Sequence, residues 1–393
     1  MSSERSTVVA GASTTDDLSE KACRLCGSLL SGGKRLTLEN APAGAQIFLD
    51  SPTAEDHRDV VTLRIVQCAS CGLVQSASPA VTYYRRVITA AGVSPAMRTH
   101  RQTQVADFSG AYGLTGRSAI EIGCGNGYFL DILAEAGFKV HGTEWGGSPV
   151  GAGSHPVVDT YPAPGIVIPG SPFEAFFCLN FLEHAPDPRG FLRGICENLT
   201  KDAVGIVEVP NYSQQRRLRR VFDYIADHVS YFDADTISTA LAISGLVVEK
   251  IAETRGGENL EVWVRRRIPT DLVGEAKSIA EVKAMLVYWL ALRRAAGERV
   301  AIWGASHQAL TLLGPINPSD LVGIFDSAPF KQGRYAPVTR LPILKPTGDA
   351  LAGINTILIV AAGYENEIAA TLRGRLQYFG SIFRMSATEI SAL

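Results

Sequence analysis

Long apolar runs are missing from this chain. No window reaches the ~18 uninterrupted apolar residues that a membrane-spanning helix needs, so no membrane partner is expected. A block of one charge is missing too: 37 Lys+Arg stand against 39 Asp+Glu, for a formal charge of -2, and they are scattered along 393 residues. Phosphate backbones demand a concentrated cationic face, so nucleic acid is excluded as the main partner. The first 21 residues are rich in Ser and Thr, carry Asp16, Asp17 and Glu20, and lack the apolar stretch of a secretory signal. They read as a disordered leader on a cytoplasmic protein. Thiols stay reduced there, so clustered cysteines among the seven present point to metal before disulfides. With 46% hydrophobic and 19% charged residues, the chain is an ordinary globular one. At roughly 100–200 residues per domain it has room for two to four domains.

Two Cys-x-x-Cys pairs open the ordered part, Cys23-Arg24-Leu25-Cys26 and Cys68-Ala69-Ser70-Cys71. The run Val60-Val61-Thr62-Leu63-Arg64-Ile65-Val66 before the second pair reads as a strand delivering a knuckle. Two thiol pairs on tight turns match the tetrahedral four-sulfur geometry of structural Zn2+, which leaves no coordination position for chemistry. A redox pair and four unrelated cysteines are the competing readings. Cys124, Cys178 and Cys196 sit in or beside α/β elements and read as small buried apolar residues.

A connecting loop and helix follow, with Tyr83, Tyr84, Arg85, Arg86, Met97, Arg98 and His100. From Ser118 onward, short apolar runs alternate with helical stretches: Ala119-Ile120-Glu121-Ile122, Lys139-Val140-His141-Gly142-Thr143, Phe176-Phe177-Cys178-Leu179 and Val204-Gly205-Ile206-Val207-Glu208-Val209. That alternation predicts an α/β fold with a mostly parallel sheet covered on both faces. After a helix near 275–296 a second series begins, with Val300-Ala301-Ile302-Trp303, Leu321-Val322-Gly323-Ile324-Phe325 and Thr356-Ile357-Leu358-Ile359-Val360.

Between the first strand and helix of the central series lies Glu121-Ile122-Gly123-Cys124-Gly125-Asn126-Gly127. Its glycines let the backbone turn sharply and approach a ligand at a helix N-terminus. The spacing is G-x-G-x-G, an acid precedes it, and Glu144 ends the next strand, where a carboxylate can take both hydroxyls of a ribose. Together these residues resemble the S-adenosyl-L-methionine loop of class I methyltransferases, with Glu121, Gly123, Gly125, Asn126, Gly127, Glu144 and Asn180 as the cofactor-binding set. A dinucleotide site and a ligand-free tight turn are the alternatives. Asn180-Phe181-Leu182-Glu183-His184-Ala185-Pro186-Asp187 follows the next strand, and ligands of open α/β sheets sit at the carboxyl ends of strands. His184 is thereby expected near the reacting methyl, with a purely structural hydrogen-bonding role as the alternative.

The whole chain from about Cys23 onward resembles the three-domain sugar C-methyltransferases that act on nucleotide-linked deoxysugars. The resemblance rests on the cysteine module ending in Cys71-Gly72-Leu73-Val74-Gln75, the loop at 121–127, Asp227-His228-Val229-Ser230-Tyr231-Phe232, and Lys331-Gln332-Gly333-Arg334. It implies a zinc-binding module at 22–80, a methyltransferase domain with its connecting segment at 81–270, and a C-terminal Rossmann-like substrate-binding domain at 271–393. In that family a Tyr-x-Glu-His stretch lines the sugar pocket and its His is a candidate base. Here His228 falls on the His, Asp227 on the Glu and Ile225 on the Tyr, while Tyr224 lies one residue away.

Independently, methyl transfer to carbon needs a base beside a ketone, and an imidazole titrates in the useful range. The candidate catalytic residues are therefore His228, His184, Asp227 and Tyr224. O- or N-methylation of another small metabolite needs less base help and stays open, as does a non-catalytic scaffold. The resemblance further implies that Ser306, His307 and Lys331 touch the nucleotide or another polar tail of the substrate. The turn Arg255-Gly256-Gly257-Glu258-Asn259 reads as a hairpin, and Arg216, Arg217, Arg219 and Arg220 as a solvated helix face. The assembly is expected to be a monomer or homodimer.

Overall fold

A computed structural model describes residues 21–31, 34–44, 51, 60–81, 94–145, 155–314, 316, 318–386 and 388–393. The leader before Lys21 and the Tyr83, Tyr84, Arg85 and Arg86 stretch lie outside the described residues. The chain divides into two compact units, Met1–Ile268 and Pro269–Leu393.

In the first unit, β1 (Arg35–Pro42), β2 (Val60–Gln67) and β3 (Val74–Ser76) make an antiparallel sheet. α1 (Pro95–Tyr112) begins where the Ser94 hydroxyl accepts from Met97 N, with Pro at its first position, and ends at left-handed Gly113. Then come β4 (Ser118–Ile122), α2 (Tyr128–Glu135), β5 (Lys139–Glu144), β6 (Val157–Asp159), β7 (Phe173–Leu179), α3 (Pro188–Glu197), β8 (Leu199–Pro210) and α4 (Tyr212–Arg217). The unit closes with β9 (Ser230–Tyr231), α5 (Ala234–Ile243), β10 (Leu246–Thr254) and β11 (Asn259–Arg266).

The main sheet has the order β10-β11-β8-β7-β4-β5-β6, with β11 alone running against its neighbours. This is the class I methyltransferase Rossmann-like sheet the motifs imply. Its strands read as unbroken apolar runs because both faces are covered. Phe176 and Cys178 face one core with α3 and α5, and Ala175 and Phe177 face the other with α1 and α2. Being antiparallel, β11 starts at the carboxyl edge of the sheet, where Asn259 lies opposite Pro210 and Glu261 opposite Glu208. The Arg255–Gly257 turn feeding it needs left-handed Gly256 and Gly257.

In the second unit, α6 (Leu272–Ala295) precedes β12 (Val300–Trp303), α7 (His307–Leu313), β13 (Ile324–Phe325), β14 (Ile343–Leu344), α8 (Gly348–Leu351), β15 (Thr356–Ile359), α9 (Glu365–Arg373), β16 (Ser381–Met385) and β17 (Ile390–Ala392). The order β14-β13-β12-β15-β16-β17, parallel except for β17, is Rossmann-like. No helix among the described residues is long and apolar enough to cross a membrane.

Candidate active site and metal site

The two cysteine knuckles have one geometry. Gly27 N donates to Cys23 O at 2.9 Å and Gly72 N to Cys68 O at 3.0 Å, with both glycines left-handed. Cys23 Sγ lies 3.6 Å from Cys71 Sγ, Cys26 Sγ lies 3.6 Å from Cys68 Sγ, and all four sulfurs fall within 4.8 Å of one another. Four sulfurs bonded tetrahedrally at about 2.3 Å would stand roughly 3.8 Å apart, so the set fits zinc. Gln75 Nε2 donates to Cys23 Sγ at 3.0 Å, an outer-shell bond that favours the thiolate. The other three cysteines are buried, and burial raises the thiols of Cys124 and Cys196 to about 12, as expected of inert packing residues.

The glycine loop turns on three left-handed residues, Gly123, Gly125 and Gly127. A Cβ on Gly123 would come within 2.3 Å of the Phe181 ring, so only glycine fits there. Glu144, at the end of β5, accepts from Gly125 N at 2.7 Å and from Trp145 N at 3.0 Å, which brings its carboxylate against the loop. Asn126 Oδ1 accepts from Tyr128 N at 3.2 Å and steadies the entry to α2. Glu121 is buried with Oε2 unpartnered; burial first and the nearby Glu144 second raise its carboxyl to about 8, against the pull of Arg101. An orphaned buried carboxyl beside a backbone cradle fits a cofactor that carries an ammonium group.

Beyond β7, Asn180 adopts a left-handed conformation and its N donates to Glu208 O at 2.8 Å. His184 occupies the single turn Leu182–His184, while Asp187 caps α3 by accepting from Gly190 N at 2.8 Å. The His184 and His228 rings meet edge to face with centroids 4.8 Å apart. His184 Nδ1 lies 3.0 Å from Asp227 O, so that nitrogen carries the proton and Nε2 presents a lone pair 3.9 Å from Glu183 Oε1. Burial holds His184 down at about 4 and His228 at about 3, the latter helped by the neighbouring His184, whereas burial lifts Glu183 to about 8. Burial thus favours the neutral form of both rings.

His228 lines a cavity of about 310 Å³ together with Tyr212, Ile225, Tyr231, Arg220 and Asn259. Tyr224 is not among its lining residues; its hydroxyl lies 3.0 Å from that of Tyr212. The arginine cluster is only partly a solvated face. Arg220 reaches Glu258 at 2.7 Å and Asp223 at 2.8 Å on the cavity wall, and Arg217 pairs with Glu253 at 3.0 Å. Helical charge patterning missed this because α4 ends at Arg217, so Arg219 and Arg220 lie beyond the helix and are not part of a helical face.

Beneath the site lies a network that sequence reasoning did not single out. Arg101 clamps Glu208 through two hydrogen bonds of 2.6 and 2.7 Å, and Gln104 Nε2 bridges Glu208 and Glu261 at 3.1 and 2.7 Å. Asn259 Nδ2 donates to Glu208 Oε1 at 2.6 Å and Asn180 Oδ1 at 3.2 Å. Burial opposes the charge on Glu208, yet Arg101 and the amides hold its carboxyl below the ordinary value. A lone glutamate in the apolar run of β8 was the available signal; nothing local marks Arg101.

In the second unit, Ser306 caps α7 by accepting from Ala309 N at 3.2 Å, and His307 is exposed. Lys331 Nζ bonds Asp326 Oδ2 at 2.8 Å. Asp326, directly after β13, also accepts from Ala305 N and Ala328 N at 2.8 Å each.

A seven-stranded sheet of this order, a glycine cradle at its first strand and an acid at the end of its second define an S-adenosylmethionine-dependent methyltransferase. The family models agree: residues 97–251 match a methyltransferase domain and residues 273–384 a C-methyltransferase C-terminal domain. The chain is an enzyme of this class with the C-terminal domain of the C-methyltransferases. It is similar to the C-methyltransferase NovU of Streptomyces niveus, at 26% identity over 392 residues that cover 88% of this chain and 90% of that protein. A ubiquinone biosynthesis O-methyltransferase of Pseudomonas aeruginosa is 33% identical over 99 residues, covering 23% of this chain and 42% of that protein. The solved magnesium protoporphyrin IX methyltransferase (ChlM) from Synechocystis PCC 6803 with bound SAH aligns at TM-score 0.35 and 18% identity, over 47% of this chain and 92% of that one.

Proposed function

We propose that this enzyme methylates a carbon of a nucleotide-linked keto-deoxysugar, with His228 as the base. The observation that carries the reading is the His228 ring on the wall of a cavity of about 310 Å³. S-adenosylmethionine, seated by Glu121, the glycine loop, Glu144 and Asn180, supplies an electrophilic methyl group. His228 would take a proton from the carbon next to the ketone, which makes that carbon the nucleophile for the methyl group the cofactor would supply. A ring whose basicity is depressed by burial is a weak acceptor of protons, and a neighbouring negative charge offsets this by favouring the imidazolium. His184, with its tautomer set by Asp227 O, packs edge to face on His228 behind the cavity wall and holds that ring in place. Asp227 acts through that carbonyl, and its negative charge raises the basicity of His184.

In the same reading, Cys23, Cys26, Cys68 and Cys71 hold Zn2+ in the module at 22–80, and Ser306, His307 and Lys331 meet the polar tail of the substrate. The enzyme acts in the cytoplasm as a monomer or homodimer.

The test mixes enzyme, cofactor and a nucleoside-diphosphate-linked 4-keto-6-deoxyhexose. The product gains the mass of one methyl, and His228→Ala removes turnover while calorimetry shows the cofactor still bound. Turnover by His228→Ala at the wild-type rate refutes the base. Ile225 on the cavity wall, where the resemblance places a Tyr, favours a second reading: O- or N-methylation of another small metabolite. Cofactor that protects the protein against heat, with no further protection from the nucleotide sugar, selects it.

A further inference from the structure

The cysteine module and the acceptor site are built into one another. β9, two residues past His228, forms the fourth strand of the module's sheet, pairing Gln75 with Ser230 and Val74 with Tyr231. Ser76 N donates to Val229 O at 3.0 Å, and Val229 N donates to Glu183 O at 2.9 Å. The segments carrying His228 and His184 are thus bonded to each other and to β3.

A second tie leaves from the first knuckle. Arg24 stands between two of the cysteines, and its guanidinium donates to Ser78 O at 2.9 Å, to Ser76 O at 3.3 Å and to Pro186 O at 3.1 Å, two residues past His184. Its own N–H donates to Gln75 Oε1 at 2.9 Å, and Gln75 in turn donates to Cys23 Sγ. Every acceptor of the Arg24 fork is a neutral carbonyl. Four thiolates outweigh the charge of one divalent ion, so the loaded cluster is the anion that balances this cation.

We infer that the N-terminal knuckle is a positioning device for the acceptor site: Arg24, held by the metal-loaded cysteines, sets the placement of the His184 and His228 rings. Cofactor binding is independent of it, because the glycine loop and Glu144 hang on β4 and β5, and Asn180 is anchored separately, its N donating to Glu208 O and its Oδ1 accepting from Asn259. Only the activity arm of the test rests on the reading of His228 as base.

The experiment compares full-length wild type, Arg24→Gln and Arg24→Lys. Zinc content and cofactor affinity are expected to match wild type in both variants. The ring-proton signals of His184 and His228, assigned from His184→Asn and His228→Asn, shift in Arg24→Gln and return partway in Arg24→Lys, whose single ammonium reaches fewer carbonyls. Misplaced reacting groups lower kcat by about ten- to a hundredfold, with the KM for the nucleotide sugar little changed. Ring signals in zinc-loaded Arg24→Gln that coincide with wild type overturn the inference. Should Arg24→Gln fail to fold, zinc is stripped from wild type with a chelator and titrated back. Recovery of the ring signals in step with zinc, over an unchanged cofactor isotherm, supports the inference, and signals indifferent to zinc overturn it. Absence of methylation by wild type, with these signals behaving as described, counts against the proposed acceptor alone.

Discussion

The two Rossmann-like sheets present the same edge and finish it differently. In the first unit, β4 runs into the glycine loop and Glu144 at the end of β5 accepts from loop residue Gly125; in the second, β12 runs into Gly304 and Asp326 after β13 accepts from loop residue Ala305. There the likeness ends. Lys331 closes on Asp326 and satisfies it, whereas Glu121 in the first unit keeps a buried oxygen with no partner. Three left-handed glycines open the first loop, and Gly304 is the single one in the second. Burial opposes the charge on Asp326, but Lys331 and the two backbone N–H groups hold its carboxyl below the ordinary value. One edge leaves a buried acid oxygen without a partner, and the other has its acid satisfied.

The largest expected effect breaks the support under the open edge. Arg101→Ala strands Glu208 opposite Glu261, two buried carboxylates, and removing one partner of a buried pair costs about 3–5 kcal/mol. Denaturant melts should show that loss in the first unit, and Arg101→Ala melting like wild type would mean the network is dispensable. Next comes Glu144→Ala, expected to weaken cofactor binding about a hundredfold by calorimetry if, as proposed, its carboxylate takes both hydroxyls of the cofactor's ribose. Asp326→Asn is its counterpart in the closed edge. It should leave cofactor affinity unchanged and lower the stability of the second unit by about 1–3 kcal/mol, through the loss of Lys331's partner. A fall in cofactor affinity in that variant would erase the contrast between the edges.

The smallest effect is a pH dependence. The Glu121 carboxyl sits at about 8 in the free protein, above its ordinary 4.5, so below pH 8 it holds a proton that a bound ammonium must expel. Cofactor affinity should therefore rise with pH up to about 8, by at most about tenfold per unit, and level off above it. Glu121→Gln should flatten the profile, and an equally steep profile in that variant would assign the proton to another group.

Much of this was legible in the chain. Apolar runs at α/β spacing foretold both sheets, and G-x-G-x-G after a strand foretold the cradle, because strand and turn preferences depend on neighbours a few residues away. The Cys-x-x-Cys pairs announced the knuckles for the same reason. His184 and His228 were each legible as a candidate, but their 4.8 Å ring contact was not.

What the sequence by itself determined is local: which runs become strands, where the backbone must turn left-handed, and which side chains have the chemistry to bind or to take a proton. Tertiary structure alone decided that Arg24 reaches Pro186, that Arg101 clamps Glu208 from 107 positions away, and that Asp326 is satisfied while Glu121 is not. The physical reason is that an ionisable group takes its character from what shields and faces it, and those neighbours arrive from distant parts of the chain only when the sheets close.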